Sequence, residues 1–466
     1  MTTGRPPQPD GKDDREERTM DEAQALLTPE AGETTTPLRV ALLGCGVVGS
    51  QVARMILSRA DDVAARVGRP VELAGIAVAH PDRPRARLPQ DLFTADAEAL
   101  VARDDVDIVV EVIGGIEPAY PLIMSAIEHG SSVVTANKAL LAAHGHEIYA
   151  AADVHGVDVY YEAAVAGAIP IVRPLRESLV GDEIRRVMGI VNGTTNYILD
   201  KMTSEGVDFE TALAEAQRLG YAESDPTADV EGYDAAAKAA ILASLAFHTR
   251  IRGSQVHREG ITGITPEDIE AARGMGCVIK LLAICEMEPE GVSARVHPAL
   301  VPEDHPLGGI RGANNAIFVE AREAGHLMFM GPGAGGSPTA SAVMGDLVTV
   351  ARNRARGVAG PAQAIFGDVP VAEMGTVHTR FQLSIQVRDE PGILQQVAAI
   401  FASHGVSLQT VQQSALEGAG KEDGWSATLR MVLHETRESD FETCLDELTR
   451  SPIVNGQPRF IRVEGM

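Results

Sequence analysis

The chain is short of cysteine, of positive charge and of long apolar runs. Its four cysteines (Cys45, Cys277, Cys285, Cys444) are scattered across 466 residues, and none forms a C-x-x-C pair. That usage points to a reducing, cytoplasmic compartment and against a structural zinc site. Lysine and arginine total 40 against 65 aspartates and glutamates, a formal charge of −25. Binding a phosphate backbone needs a basic surface, so nucleic acid is excluded as a partner. No apolar run approaches the ~20 residues of a membrane span, and no signal-peptide pattern is expected.

What remains is ample for packed cores: 45% of residues are hydrophobic, and the length suits two to four domains. Residues 1–37 are polar and rich in charge and proline, so they read as a disordered acidic tail, with DEAQALL good for at most one turn. LRVALLGCGVVGSQVARMIL then reads as strand, glycine turn and amphipathic helix. Gly44, Gly46 and Gly49, with Val47 and Val48 between the last two, form G-x-G-x-x-G. The first glycine permits a tight turn, the second a close pyrophosphate, and the third close packing of helix on strand. The helix N-terminus favours the anion. The expected fold is α/β, opening with a Rossmann dinucleotide-binding domain.

The second strand, VELAGIAVAH, decides the cofactor variant. It ends without the acidic residue that would take a ribose hydroxyl, whereas Arg83 and Arg85 follow and suit a 2′-phosphate. The reading is NADP, with NAD possible. DVDIVVEVIGG is a further strand ending at Ile113 and Gly114, and SSVVTANKALLAAHG is a strand–turn–helix unit that sets Lys138 at the ligand-collecting end of the sheet.

The richest span runs from Asn192 to Lys238. GYAESDPTADVEGYDAAAK gathers Glu223, Asp225, Asp229, Asp234 and Lys238 beside an apolar helix. Asp234 and Lys238 are four apart and share a helix face. A lysine entering an apolar helix beside carboxylates suits proton transfer, because burial and neighbours move its pKa. Taken alone, such a pair is more often a surface ion pair, and the motifs around it overturn that reading. NGTTN offers amide and hydroxyl groups on Asn192, Thr194 and Thr195, either for a substrate carboxylate or as a helix cap.

With LLGCGVVG, VEVIGGIEP, VVTANKALLA, YYEAAVAGAIPIVRPL, GIVNGTTNYIL, GYAESDPTADVEGYDAAAKAAILA and GPGAGGSPTASAVMGDL in that order, the chain resembles homoserine dehydrogenases of the long bacterial form. The resemblance implies interconversion of L-homoserine and L-aspartate 4-semialdehyde, on the route to threonine and methionine. It makes Lys238 the proton donor to the aldehyde oxygen, Asp234 its positioning acid and a substrate contact, and Glu223 the partner of the substrate's ammonium. Lys138 lies near nicotinamide and substrate, while Gly220 and Gly335 approach the cofactor. Glu162, Val165, Gly167 and Ile169 match a monovalent-cation site. Three of these four can offer only a carbonyl oxygen, which suits Na⁺ rather than zinc.

The remaining organisation follows. A nucleotide-binding domain is expected over 38–161, with the helix of 341–358 returning to it, and a catalytic and dimerisation domain over 162–340. In the latter, FETALAEAQRLG and IEAARGMGCVIKLLAICE read as helices, which puts Cys277 and Cys285 in an apolar helix. SARVHPALV and AIFVEAREAGHLMFMG read as strands. A linker over 359–375 leads to 376–466, where β-α-β-β-α-β gives a ferredoxin-like order. Its DEPGIL loop resembles the ACT pattern, implying a feedback domain with L-threonine as effector and a homodimer or homotetramer. Two rival readings are weaker. An acyl-transferring semialdehyde dehydrogenase needs a nucleophilic cysteine with a histidine partner, and a non-catalytic amino-acid sensor has no use for Glu223, Asp234 and Lys238.

Overall fold

The computed structural model describes residues 36–465, apart from 84, 86, 362–366, 368 and 416–426. The tail reading, save for 36 and 37, and part of the expected linker therefore lie outside the described residues. The first layer is a parallel sheet of six strands: β1 (Leu38–Leu43), β2 (Val71–Ala77), β3 (Phe93–Thr94), β4 (Ile108–Glu111), β5 (Ser132–Thr135) and β6 (Val159–Tyr160). Their order is β3-β2-β1-β4-β5-β6. Between β1 and β4 the order switches from adding strands on one side of β1 to adding them on the other, and ligands collect beyond the strand ends at such a point. Helix α1 (Val47–Ser58) follows β1, and helix α2 (Lys138–His155) follows β5.

The second layer is one sheet shared by two regions. Strands β7 (Ile184–Ile190), β8 (His257–Arg258), β9 (Cys277–Glu288), β10 (Gly291–Pro302), β11 (Asn314–Ala321) and β12 (Gly325–Pro332) belong to its first half. Strands β13 (His378–Val387), β14 (Leu408–Ala415), β15 (Ala427–Leu433), β16 (Thr436–Arg437) and β17 (Val454–Val463) belong to its second. The path runs β12-β11-β7-β9-β10-β17-β13-β15-β14. The join is a short parallel pairing, Ala299 with Arg462 and Leu300 with Val463.

Helices α3 (Gly193–Glu205), α4 (Phe209–Leu219) and α5 (Tyr233–Ala246) accompany the first half. Helix α6 (Gly336–Ala355) returns to the nucleotide-binding layer, where Val343, Leu347 and Val350 join the core of Leu42, Val52 and Ile56. Helices α7 (Ile393–Ser403) and α8 (Glu438–Arg450) pack on the second half around Phe381, Phe401 and Phe441. No described helix is long and apolar enough to cross a membrane.

One expectation fails. CVIKLLAICE is not helical: it is β9, and only a short helix, Pro266–Arg273, precedes it. The run from Cys277 to Cys285 is buried throughout. A strand covered on both faces reads as a continuous apolar run, which has no period to separate it from a buried helix. Cys277 and Cys285 therefore sit on a central strand. Burial pushes the Cys285 thiol up to about 12, which disqualifies it as a nucleophile more firmly than its sequence neighbours did. AIFVEAREAGHLMFMG is an antiparallel hairpin, β11 with β12.

Candidate active site

The glycine turn is built as its spacing requires. Gly44 has φ +97°, and a Cβ there would lie 2.9 Å from the Val112 carbonyl oxygen. A Cβ on Gly49 would lie 2.2 Å from the Gly44 carbonyl oxygen, so nothing larger fits. At Gly46, by contrast, an added Cβ meets nothing within 4 Å. That open face at the start of α1, whose N-terminus no side chain caps, fits a pyrophosphate. Val47 and Ile113 stand exposed at its rim, half-buried Val48 lies behind, and Gly114 turns the chain after β4. Gly335 caps α6 with φ +119°, and Gly336 packs on the Val47 carbonyl, so the GPGAGG loop reaches the same opening. After β2, Arg85 turns inward to the carbonyls of His80 and Arg83 and over the Phe93 ring. Arg83 is exposed, with no fixed side-chain partner among the described residues.

Sequence reasoning missed the brace behind this opening. Glu111, fully buried at the end of β4, accepts from the backbone N–H groups of Ile113 (2.7 Å) and Gly114 (3.1 Å) and from the Thr135 hydroxyl (2.5 Å). Asn137 caps α2 through the Leu140 N–H and donates to the Gly115 carbonyl. The only hint in the sequence was a carboxylate ending the apolar run DIVVE.

Lys138 begins α2, and its Nζ lies 2.7 Å from Asp234 Oδ1. On the other side, Lys238 Nζ lies 2.7 Å from Asp234 Oδ2 and donates to the Val191 carbonyl at 2.6 Å. Asn192, the N-cap of α3, donates to Asp234 (2.9 Å) and Asp229 (2.7 Å). One carboxylate thus ties the two layers together between two ammonium groups. The helix spacing predicted the Asp234–Lys238 half; the Lys138 half comes only from the fold. Burial alone would raise the Asp234 carboxyl, but the charges of Lys238 and Lys138 outweigh it and hold it well below its usual range. For Lys138 the charge of Asp234 prevails over burial, and its pKa rises. For Lys238, fully desolvated, burial prevails and the pKa falls. Asp229 is raised by its burial.

The rest of the expected set is grouped less tightly. Thr194 is buried and donates to the Tyr221 carbonyl at 2.7 Å, which pins the loop after Gly220. Gly220 is the left-handed cap of α4. Glu223 lies exposed on that loop, and its carboxylate has no hydrogen bond or ion pair among the described residues. The Glu162 carboxylate is buried and accepts from the backbone N–H groups of Ile171, Val172 and Arg173. Asp346, the one charge buried in α6, accepts from the Glu162 N–H and from Arg173 Nη2.

The comparisons with known proteins follow the same layout. Residues 44–162 match the NAD-binding domain of homoserine dehydrogenase, 170–348 match homoserine dehydrogenase itself, and 381–452 match the ACT domain. The homoserine dehydrogenase of Mycobacterium tuberculosis (strain H37Rv) is 55% identical over 436 residues, covering 92% of this chain and 98% of the relative. The chain belongs to the homoserine dehydrogenase family. That of Corynebacterium glutamicum is 52% identical, over 91% of this chain and 95% of its own. A crystal structure of a homoserine dehydrogenase from Thiobacillus denitrificans superposes with a TM-score of 0.85 at 38% identity, covering 92% of this chain and 98% of that one. A hyperthermophilic archaeal homoserine dehydrogenase in complex with NADPH matches at 0.58 and 26%, over 68% and 98%. The Rossmann layer, catalytic region and ACT domain expected from sequence are thus those of this family of nicotinamide-dependent oxidoreductases acting on a CH–OH group.

Proposed function

We propose that the chain interconverts L-homoserine and L-aspartate 4-semialdehyde with NADP(H), using Lys238 as proton donor and acceptor. The carrying observation is the Asp234 carboxylate held at 2.7 Å from both Lys138 and Lys238. When bound, the reduced dinucleotide supplies hydride to the aldehyde carbon. Negative charge then grows on the aldehyde oxygen, and the Lys238 ammonium donates a proton there. Its lowered pKa favours giving that proton up, and in the reverse direction favours the neutral amine that takes it back. Asp234 fixes the lysine and keeps two cations compatible in one buried space. Lys138, 42% exposed at its side chain, adds positive charge on the cofactor side. Glu223 is free to meet the substrate's ammonium, and the backbone N–H groups at the α3 N-terminus, that of Thr194 included, offer donors to its carboxylate.

Arg83 takes the 2′-phosphate in this reading, which favours NADP(H) over NAD(H). The ACT domain binds L-threonine as feedback effector. Glu162, Val165, Gly167 and Ile169 hold a monovalent cation, most simply Na⁺. The four free thiols suit a cytoplasmic enzyme of threonine and methionine synthesis, working as a homodimer or homotetramer. The test is the initial rate of NADPH oxidation with L-aspartate 4-semialdehyde, repeated with NADH, with added L-threonine, and with Lys238→Ala. Turnover that Lys238→Ala abolishes while NADPH still binds supports the reading; an unchanged rate in that variant overturns it.

A further inference from the structure

The first turn of α5 carries Asp234, yet the helix does not hold that turn itself. No side chain caps it, and its N-cap, Gly232, is left-handed with φ +77°. The segment from His257 to Thr262 holds it from outside. The Arg258 guanidinium lies 3.5 Å from the centre of the Tyr233 ring and donates to the Glu231 carbonyl. Gly260 is pressed so close that a Cβ would lie 2.5 Å from the Val230 carbonyl oxygen. The Ile261 N–H donates to that same oxygen at 2.8 Å, and the Thr262 hydroxyl donates to the Glu231 carboxylate at 3.0 Å.

The middle of this clamp faces the C-terminal domain. The Glu259 N–H donates to the Val296 carbonyl of β10. Its carboxylate accepts from Arg462 Nη1 at 2.8 and 2.9 Å and lies 2.9 Å from His257 Nε2. Arg462 is buried on β17, and its other edge makes a bidentate pair with buried Glu438 of α8, at 2.6 and 2.9 Å. Glu438, Arg462 and Glu259 thus form one ionic chain across the domain boundary. Burial opposes the Glu259 charge, but His257, Arg462 and the nearby His297 outweigh it and hold the carboxyl at about 2.

We propose that Glu259 is a positioning residue: through its ion pair with Arg462, the C-terminal domain sets the first turn of α5, and with it Asp234 and Lys238. The inference rests on the reading of those two residues as catalytic. It gives a ligand on the ACT domain a route to the reaction of only a few contacts. A displacement of β17 moves the Glu259 clamp, and the clamp moves the turn that aims the proton donor. Coupling of this kind needs a contiguous element that both sites bias.

The test compares wild type, Glu259→Gln, Glu259→Asp and Lys238→Ala. Glu259→Gln keeps the shape and removes the charge. It is expected to lower kcat roughly 3- to 30-fold and to shift the pH limb of the reduction, because the surroundings of Lys238 change. The dinucleotide Kd should stay put, since none of the clamp's contacts described above involves the glycine turn, and Glu259→Asp, which keeps the charge, should recover part of the rate. Amide hydrogen exchange over residues 229–240 should rise in Glu259→Gln. Unchanged exchange there overturns the clamp whatever the catalytic roles prove to be. Raised exchange with unmoved kcat and pH limb, in an enzyme that Lys238→Ala inactivates, overturns the positioning role. Activity surviving Lys238→Ala defeats the catalytic reading instead, and the exchange result then decides the clamp alone.

Discussion

Replacing Asp234 by asparagine removes one charge from a site where that charge serves two cations. In the native arrangement both ammonium groups lie 2.7 Å from the same carboxylate. At the effective dielectric of about 20 that suits protein sites, a contact pair at 3–4 Å is worth about 4–5 kcal/mol. Without the carboxylate, Lys238 loses that attraction and feels Lys138 unopposed. A loss of about 3–5 kcal/mol corresponds to roughly 2–4 pKa units. The shift is downward, adding to the depression that burial already imposes on Lys238. The neutral-amine fraction of Lys238 then grows, and the amine has no proton to donate to the aldehyde oxygen. The reduction should fall by about 10²–10⁴-fold, and its alkaline limb should move to lower pH by more than one unit. With Lys238 in the proposed role, the oxidation of homoserine uses the neutral amine, so it should suffer less from this cause. Initial rates in both directions from pH 6 to 10, read by dinucleotide absorbance, test the argument. An alkaline limb of Asp234→Asn that coincides with wild type, or equal losses in both directions at every pH, would refute it.

Other substitutions separate shape from charge. Gly46→Ala should keep thermal stability but weaken dinucleotide binding at least tenfold, since only the ligand-facing space is filled, whereas Gly49→Ala should destabilise the fold through its 2.2 Å clash; calorimetry and a binding titration read the two. Arg83→Ala should lower kcat/KM for NADPH by about tenfold and leave NADH unchanged, as loss of one charge-assisted phosphate contact implies. Glu111→Gln keeps an oxygen for the two backbone N–H groups but sets an NH₂ group against the Thr135 hydroxyl, which must give up its donated bond and turn; it should cost about 1–3 kcal/mol in denaturant unfolding and raise KM for the dinucleotide. Asp346 is pushed up to about 7 by burial, against an ordinary 3.8, the opposing charge of Arg173 notwithstanding. A carboxyl raised on folding contributes stability that is full below about pH 4 and lost as pH rises through 7. Unfolding midpoints measured from pH 5 to 8 should therefore decline more steeply in wild type than in Asp346→Asn, and parallel slopes would contradict the assignment.

The sequence announced what depends on short spacing. G-x-G-x-x-G dictated its own geometry because each glycine answers to a contact within a few residues, and Asp234 and Lys238 met because helix pitch brings i and i+4 together. Lys138 was singled out for standing at the right end of a strand, although its partner Asp234 lies 96 positions on and only the packing of the two layers joins them. Glu111 and Asp346 stayed hidden for the opposite reason: each is one carboxylate in an apolar stretch, whose purpose lies in backbone N–H groups that no pattern displays. The misread strand β9 marks a different limit. An element buried on both faces loses the alternation that names it.

The C-terminal domain carries this limit furthest. Its βαββαβ order was legible, and by itself it describes a module on a linker, able to bind a ligand and otherwise separate. The structure instead continues the catalytic sheet into it, with Arg462 opposite Ala299 and Val463 opposite Leu300. A two-residue parallel pairing contributes little pairing of its own, so the register there rests on what surrounds it. Around it stand Arg462 between Glu438 and Glu259, and Arg295 of β10 among Glu286, Glu288 and Glu464. Buried ion pairs add little net stability beside apolar packing, but breaking one by removing a partner is costly. A seam built from them is therefore selective about register rather than strong. Moving β17 by one residue would set Arg462 away from both carboxylates and leave several buried charges unpaired. Such a seam has few intermediate positions, which is the property that transmission of a binding event from the ACT domain to the Asp234–Lys238 pair requires.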